Sequence, residues 1–390
     1  MAYLLKLTLI LISCLLLALV LAAVWLWPQY DYLPAVQPGF EVERHAENPI
    51  IFGGLHQQLS AKNSEGEYVN INGPSVIRVP DWVEHPLGNY YLYFAHHKGR
   101  SIRMAYADTP TGPWTLYEPG TLRLENSGLL EDTANAGTSS GLQDLWRTFS
   151  VHVVRDYLLL SYRATVTDQK VRRQRGIHVA ANAEPHIASP EVIVDEREQR
   201  LLMYFHGLGR AGYQHSRIAQ SRDGIEFEVL DAGVFSTYLR GFGYRDERFL
   251  LGMPGVIYRS DSLDQGFVPR DRILFEPDMR HCAVWVEGNT LHVLWSRVGD
   301  APESILYSRV DMSSRNWDDW RATEGVEVMR PDRPWEGSEL AVLPSLRGEI
   351  DLASHELRDP YVLRDSDGSL YLYYVGSGEQ AIGVANLHTE

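Results

Sequence analysis

The sequence predicts an all-β protein: a five-bladed β-propeller preceded by a single N-terminal transmembrane helix. Three observations carry this. A unit of strand-like segments recurs along the chain, no amphipathic helix interrupts it, and residues 7–27 are almost wholly apolar. Self-similarity at this scale is the mark of radially repeated four-stranded sheets.

The repeat is clearest in its aromatic segments: Tyr90–Phe94 (YYLYF), Leu201–Phe205 (LLMYF), Leu291–Trp295 (LHVLW) and Leu370–Tyr374 (LYLYY). Each is followed at similar spacing by small, alternating residues: IRMAYAD from Ile102, SRIAQSRD from Ser216, ILYSRVD from Ile305 and AIGVANL from Ala381. A compressed fifth copy fits Arg248–Arg259. Gly, Pro and Asp punctuate the turns, as in DTPTGPW, SRDGIEF and DSLDQGF. The strand that opens each blade is expected at Asn70–Val79, His186–Val194, Tyr238–Tyr244, Arg280–Val286 and Arg358–Leu363. Residues 45–60 are expected to close the ring, so the propeller spans 45–390. Residues 125–185 break the pattern and read as an atypical insertion.

Residues 7–27 hold 21 positions, enough at 1.5 Å per residue to cross a bilayer core of about 30 Å. Lys6 precedes the run, and Trp25, Trp27, Tyr30 and Tyr32 follow as an interfacial belt. An uncleaved signal anchor over 1–27 fits best, because the run exceeds a typical secretory core. A cleaved signal peptide and a lipoprotein box at Leu11-Ile12-Ser13-Cys14 are the other readings. Residues 28–44, with three prolines, read as a linker. The propeller is then extracytoplasmic, periplasmic or extracellular, and tied to the membrane.

With 36 basic and 51 acidic side chains the chain carries a net charge of −15, which repels phosphate backbones and excludes nucleic acid as a partner. Cys282 is the only cysteine outside the leader, so that part has neither an intrachain disulfide nor a cysteine zinc site. There is no G-x-S-x-G, phosphate loop or dinucleotide fingerprint. The 21 tyrosines and 10 tryptophans suit both β-sheet cores and stacking on sugar rings.

The segments YLYFAHHKGRSIRMAYADTPTGPW (Tyr91–Trp114), ASPEVIVD (Ala188–Asp195) and RDPYVLRDSDGSLYLYYVG (Arg358–Gly376) resemble the five-bladed propeller glycosidases. The likeness is greatest to glycoside hydrolase family 43, with family 117 as a relative, and covers roughly residues 45–390 outside the insertion. It implies a carbohydrate substrate and cleavage of a glycosidic bond by two carboxylates flanking it. The chain departs from family 43 in two respects. Where the first blade of that family carries an aspartate before proline, this chain has Asn72-Gly73-Pro74. Its only blade entry with the Asp-Pro step is Asp359-Pro360, on the last blade, and the acid's Glu-Gly-Pro step has no clear counterpart, Glu336-Gly337 being the nearest.

In a propeller the first strands converge on the axis, so residues distant in sequence meet there. Asp359 is the candidate base, kept ionised by its neighbour Arg358. Glu336 is the candidate acid, its pKa raised by the shielding Trp335. By the resemblance to family 117, His281 is an alternative acid. Arg280, Arg358, His186, Asn72, His206, His96, Asp300 and Glu303 are candidate substrate-binding residues. No sequential metal motif is present and no cofactor is required, although the same histidines leave room for an axial structural divalent cation. Two other readings stand beside the hydrolase: a non-catalytic glycan-binding or assembly propeller, and a phosphorylase or lyase on the same scaffold.

Overall fold

A computed structural model of the chain describes residues 12–14, 17, 30–60, 62, 70–97, 99–131, 185–209, 214–234, 236–350 and 352–389. Five antiparallel sheets form the propeller. Blade one is β3 (Asn72–Arg78), β4 (Tyr90–Ala95), β5 (Arg103–Ala107) and β6 (Thr115–Tyr117). Blade two is β7 (Ile187–Asp195), β8 (Arg200–Leu208), β9 (Gln214–Ser221) and β10 (Glu228–Val234). In blade three, β11 (Thr237–Tyr244), β12 (Glu247–Met253) and β13 (Val256–Ser260) realise the compressed repeat, with β14 (Val268–Pro269) at the edge. Blade four is β15 (Met279–Glu287), β16 (Thr290–Arg297), β17 (Ile305–Asp311) and β18 (Val326–Met329). Blade five is β19 (Leu357–Arg364), β20 (Leu370–Gly376) and β21 (Ala381–Thr389), completed from the other end of the chain.

That completion departs from expectation. Residues 40–44, expected as the end of the linker, are β1 (Phe40–Arg44), which pairs with β21 from Phe40↔Thr389 to Arg44↔Ala385. Phe40 is buried against Trp285 and Tyr307 of blade four, and this apolar anchor outweighs the linker-like composition before it. Within the expected 45–60 segment, β2 (Ile51–Phe52) adds only a short pairing to the other end of β21. Ring closure therefore joins the two ends of the propeller and leaves few exposed edges.

The aromatic strands owe their composition to their position. Each second strand lies between two neighbouring blades, so both of its faces are buried and the period of two selects the neighbour. In β4, Tyr90, Leu92 and Phe94 pack towards blade five while Tyr91, Tyr93 and Ala95 pack towards blade two. In β8, Leu201, Met203 and Phe205 face blade one; Leu202 and Tyr204 face blade three. The same division runs through β12, β16 and β20, giving a core between each adjacent pair of blades.

The leader falls outside the described residues except for 12–14 and 17, which are helical. No helix among the described residues is long and apolar enough to cross a membrane. Most of the 125–185 segment, residues 132–184, is likewise not described. Its beginning packs with the propeller: Leu129 joins the core between blades one and two, and the Leu130 amide donates to Leu208 O at 2.8 Å.

All five first strands share one irregularity. Pairing advances three residues on the first strand against two on its neighbour: Asn72 to Ser75, Ala188 to Glu191, Thr237 to Arg240, Met279 to Cys282 and Arg358 to Tyr361. A β-bulge of this kind re-aims side chains. Here it creates equivalent rungs around the axis. The rung just past the bulge is Ser75, Glu191, Arg240, Cys282 and Tyr361.

Arg240 ties that rung together. Its guanidinium donates to Cys282 O at 2.9 Å, to Pro190 O and Pro74 O at 3.2 Å each, and to Glu191 Oε2 at 3.1 Å. It also lies 5.2 Å over the Tyr361 ring. One side chain from blade three thus touches the other four. Removing one member of a buried pair strands the other charge, at about 3–5 kcal/mol. Arg240→Met should lose stability on that scale in chemical denaturation, whereas Arg123→Ala, at an exposed pair with Glu125, should leave the midpoint unchanged.

Candidate active site on the propeller axis

The bulges carry the site. Their first residues are Gly73, Ser189, Tyr238, Arg280 and Asp359. Four of the five have left-handed backbones, with φ of 60° at Gly73, 49° at Ser189, 55° at Tyr238 and 48° at Asp359. For residues with a side chain this costs about 1–3 kcal/mol each, and such strain concentrates at functional sites. Asp359 is the one carboxylate on this rung. The first-blade position that the resemblance would fill with aspartate is Gly73, whose amide donates to Asp359 Oδ2 at 2.9 Å. A Cβ on Gly73 would stand 3.1 Å from the Ser189 Cα.

Asp359 is buried and pairs through Oδ1 with Nδ1 of His281, which is also buried. Burial by itself would raise the Asp359 carboxyl. His281 and the Gly73 amide outweigh it and hold the carboxyl well below the usual range. Arg358, expected to do this, is turned away. Its guanidinium bonds Glu356 Oε2 at 2.9 Å and Glu379 Oε1 at 3.0 Å, with Glu303 at 3.8 Å. Burial pushes the His281 imidazole down to about 4, against the pull of Asp359. His281 is therefore neutral at pH 7.

Beside this pair lies a second chain of contacts. Glu379 Oε2 meets His97 Nδ1 at 2.7 Å, and His97 Nε2 meets the Tyr238 hydroxyl at 2.8 Å. Asn72 Nδ2 lies 2.9 Å from His97 Nδ1, and Asn70 bonds both Asn72 and Glu379. The Tyr238 ring packs on His281 at 4.1 Å and on His206 at 4.5 Å, centroid to centroid, with His186 5.9 Å beyond. Neither ring nitrogen of His206 has a hydrogen-bond partner among the described residues. Burial and then the neighbouring His186 drive its pKa well below 6.5. Burial opposes the charge on His97, but Glu379 prevails and raises it well above 6.5. Burial likewise opposes the charge on Glu379, yet His97 and Arg358 bring it down to about 2.

The predicted residues thus divide. Asp359, His281, Asn72, His186 and His206 come together at the axis. Arg280, Arg358 and Glu303 form a buried ionic layer beside them, with Arg280 Nε 3.0 Å from Glu303 Oε1. His97, rather than His96, contributes its ring. Asp300 turns aside towards Arg297, at 3.7 Å. Glu336 departs most from expectation. It is buried, but its carboxylate accepts from Arg44 Nε at 2.8 Å, Tyr374 Oη at 2.8 Å and the Asp332 amide at 2.7 Å. It shares no partner with Asp359 and instead latches the closing strand β1. Glu336→Gln should lower stability by about 1–3 kcal/mol while leaving the pH dependence of any activity unchanged.

Tyr238 and Glu379 were not among the expected site residues. Among the described residues, no three His, Cys, Asp or Glu side chains are placed to hold a metal ion. A surface groove lined by Glu247, Arg259, Ser260 and Gln265 lies at the other end of blade three, since Glu247 pairs with Tyr244 and Thr237 with Met253.

The fold and its strained, polar axis place the chain in the class of five-bladed β-propellers. No known family profile matches it. It is 28% identical over 344 residues to the uncharacterized protein R118 of Acanthamoeba polyphaga mimivirus, covering 82% of this chain and 84% of that one. Among solved structures, a glycosyl hydrolase from Bacteroides ovatus superposes with a TM-score of 0.54 at 12% identity, over 91% of this chain and 96% of that one. A member of the GH130 family of mannoside phosphorylases, which contains glycoside hydrolases that target beta-1,2 mannosidic linkages in Candida mannan, gives 0.52 at 14% identity, over 92% and 96%.

The displaced titrations set the pH dependence of stability. His206 and Glu379 both bind protons more readily when unfolded, so acid favours unfolding. The His206 contribution is lost as pH falls below 6.5, and that of Glu379 as pH falls from about 4.5 towards about 2. His97 acts oppositely, its contribution fading as pH rises through its raised value. Denaturant titrations across pH should show a two-stage loss on acidification, with His206→Asn shrinking the upper stage and leaving the share of His281, which burial also holds below 6.5.

Proposed function

We propose that the protein is a glycoside hydrolase acting on an oligo- or polysaccharide, anchored by residues 7–27 with its propeller on the extracytoplasmic side. The observation that carries the reading is the buried Asp359–His281 pair at a strained bulge on the axis. Displaced titratable groups held on strained backbone are what an acid–base site requires. The likeness in fold to glycoside hydrolases supports the reaction class, and the apolar leader supports the anchor.

Asp359 stays ionised and accepts the Nδ1 proton of His281, which makes Nε2 the basic nitrogen. The pair is suited to take a proton from the water that attacks the anomeric carbon. His281 thereby belongs to the base rather than serving as the acid. The neighbouring His206, His186 and Asn72 are suited to bonding sugar hydroxyls, and the Tyr238 face to stacking. One observation favours the alternative of a binding propeller: the other axial carboxylates, Glu303, Glu356 and Glu379, are all ion-paired.

The test is a screen of the purified full-length protein against aryl glycosides and native glycans, reading release of reducing ends. Asp359→Asn should lower kcat by about 10²-fold or more on whatever substrate is cleaved. Undiminished turnover in that variant would remove Asp359 from the mechanism. Sugar binding without cleavage by the wild type would favour the binding propeller.

A further inference from the structure

One group in the axial network stands apart. Asn70, Asn72, His97, Glu379, Asp359, His281, His206 and Arg358 are all buried. Tyr238 alone among them is only partly buried. Its hydroxyl ends a chain that runs from the Glu379 carboxylate through His97, with contacts of 2.7 and 2.8 Å. The left-handed backbone at Tyr238 holds the ring over His281, beside the proposed base.

We propose that Tyr238 donates the proton to the departing glycosidic oxygen, and that His97 and Glu379 are positioning residues that hold and replenish it. This rests on the hydrolase reading above. The step balances without any further reactant. The Tyr238 O–H proton passes to the glycosidic oxygen as its bond to the anomeric carbon breaks, and the leaving group departs as an alcohol. The Nε2 proton of His97 passes to the phenolate, and the remaining Nδ1 proton stays on His97, hydrogen-bonded to Glu379. Water adds its hydroxyl to the anomeric carbon and gives its proton to His281. The proton leaving His281 and the one returning to His97 exchange with solvent, so the sum is hydrolysis.

The surroundings suit these roles. Glu379 and Glu349 face His97, while Asp359, His281 and His206 face Tyr238. Burial raises the Tyr238 phenol and His97 opposes that rise, so the phenol stays protonated at neutral pH with a cationic donor behind it.

A leaving-group comparison tests this. A proton donor matters for a poor leaving group and hardly at all for a good one. Tyr238→Phe keeps the ring and should cleave a dinitrophenyl glycoside within about tenfold of wild type. On the alkyl glycoside of the same sugar it should lose about 10²–10⁴-fold. The alkaline limb of the wild-type pH profile should disappear in Tyr238→Phe, and shift to lower pH in Glu379→Gln. Equal losses on both substrates, or no loss on either, overturn the proposal. Histidine-ring NMR on the same proteins needs no substrate. The His97 signal, assigned with His97→Gln, should remain protonated well above pH 6.5 and move in Tyr238→Phe; ordinary titration unaffected by that change overturns the relay. A wild type that cleaves no glycoside would instead defeat the hydrolase reading, and the NMR result would still decide the relay.

Discussion

The Arg240 guanidinium is the constraint on which the axial geometry depends. Five strands that converge on one axis leave backbone carbonyls at their bulges with no ladder partner, and buried carbonyls need donors. Arginine offers five N–H groups in a rigid fork. Here that fork serves carbonyls from blades one, two and four together with the Glu191 carboxylate. The bulges are thereby fixed in register with one another, and the residues they project towards the opening, Tyr238 and Asp359 among them, inherit that register. Chemistry that relies on contacts of 2.7–2.9 Å between different blades depends on such an anchor.

A second layer isolates the site electrically. Arg358 and Arg280 pair with Glu356, Glu379 and Glu303 in a buried layer, where His97 supplies the third positive charge. Arg358 is held more firmly protonated than usual: burial opposes its charge, but the three carboxylates prevail. Glu379 belongs to both layers, bonding Arg358 with one oxygen and His97 with the other. The ionic layer is thus a support for His97 as well as a structural element, which explains why so many charges are buried beside the axis.

Much of the fold was legible in the sequence because blade packing imposes a local rule. A strand buried on both faces must be apolar throughout, and YYLYF and LYLYY announce that. Pro74, Pro190 and Pro360 stand at three of the bulges. The bulge at Tyr238 has no such mark, because Thr-Tyr-Leu-Arg reads as ordinary strand. Glu379 lies in the Gly-Ser-Gly-Glu turn, which reads as a solvated surface. What brings both to the axis is the closure of the ring, a long-range fact that no local pattern records. Glu336-Gly337 misled for the converse reason. Its local step resembles an acid's, but Arg44, 292 positions away, claims the carboxylate. Phe40–Arg44 was hidden by the prolines before it, and its role too is fixed by a distant partner, β21.

The most direct measurement is the position of a bound sugar. Crystals of the full-length protein carrying Asp359→Asn, soaked with an oligosaccharide that the wild type cleaves or binds, would locate it. The account predicts a sugar ring against Tyr238, within hydrogen-bonding distance of His281 and His206. A sugar seated only in the Glu247–Arg259 groove, with the axis unchanged, would contradict it.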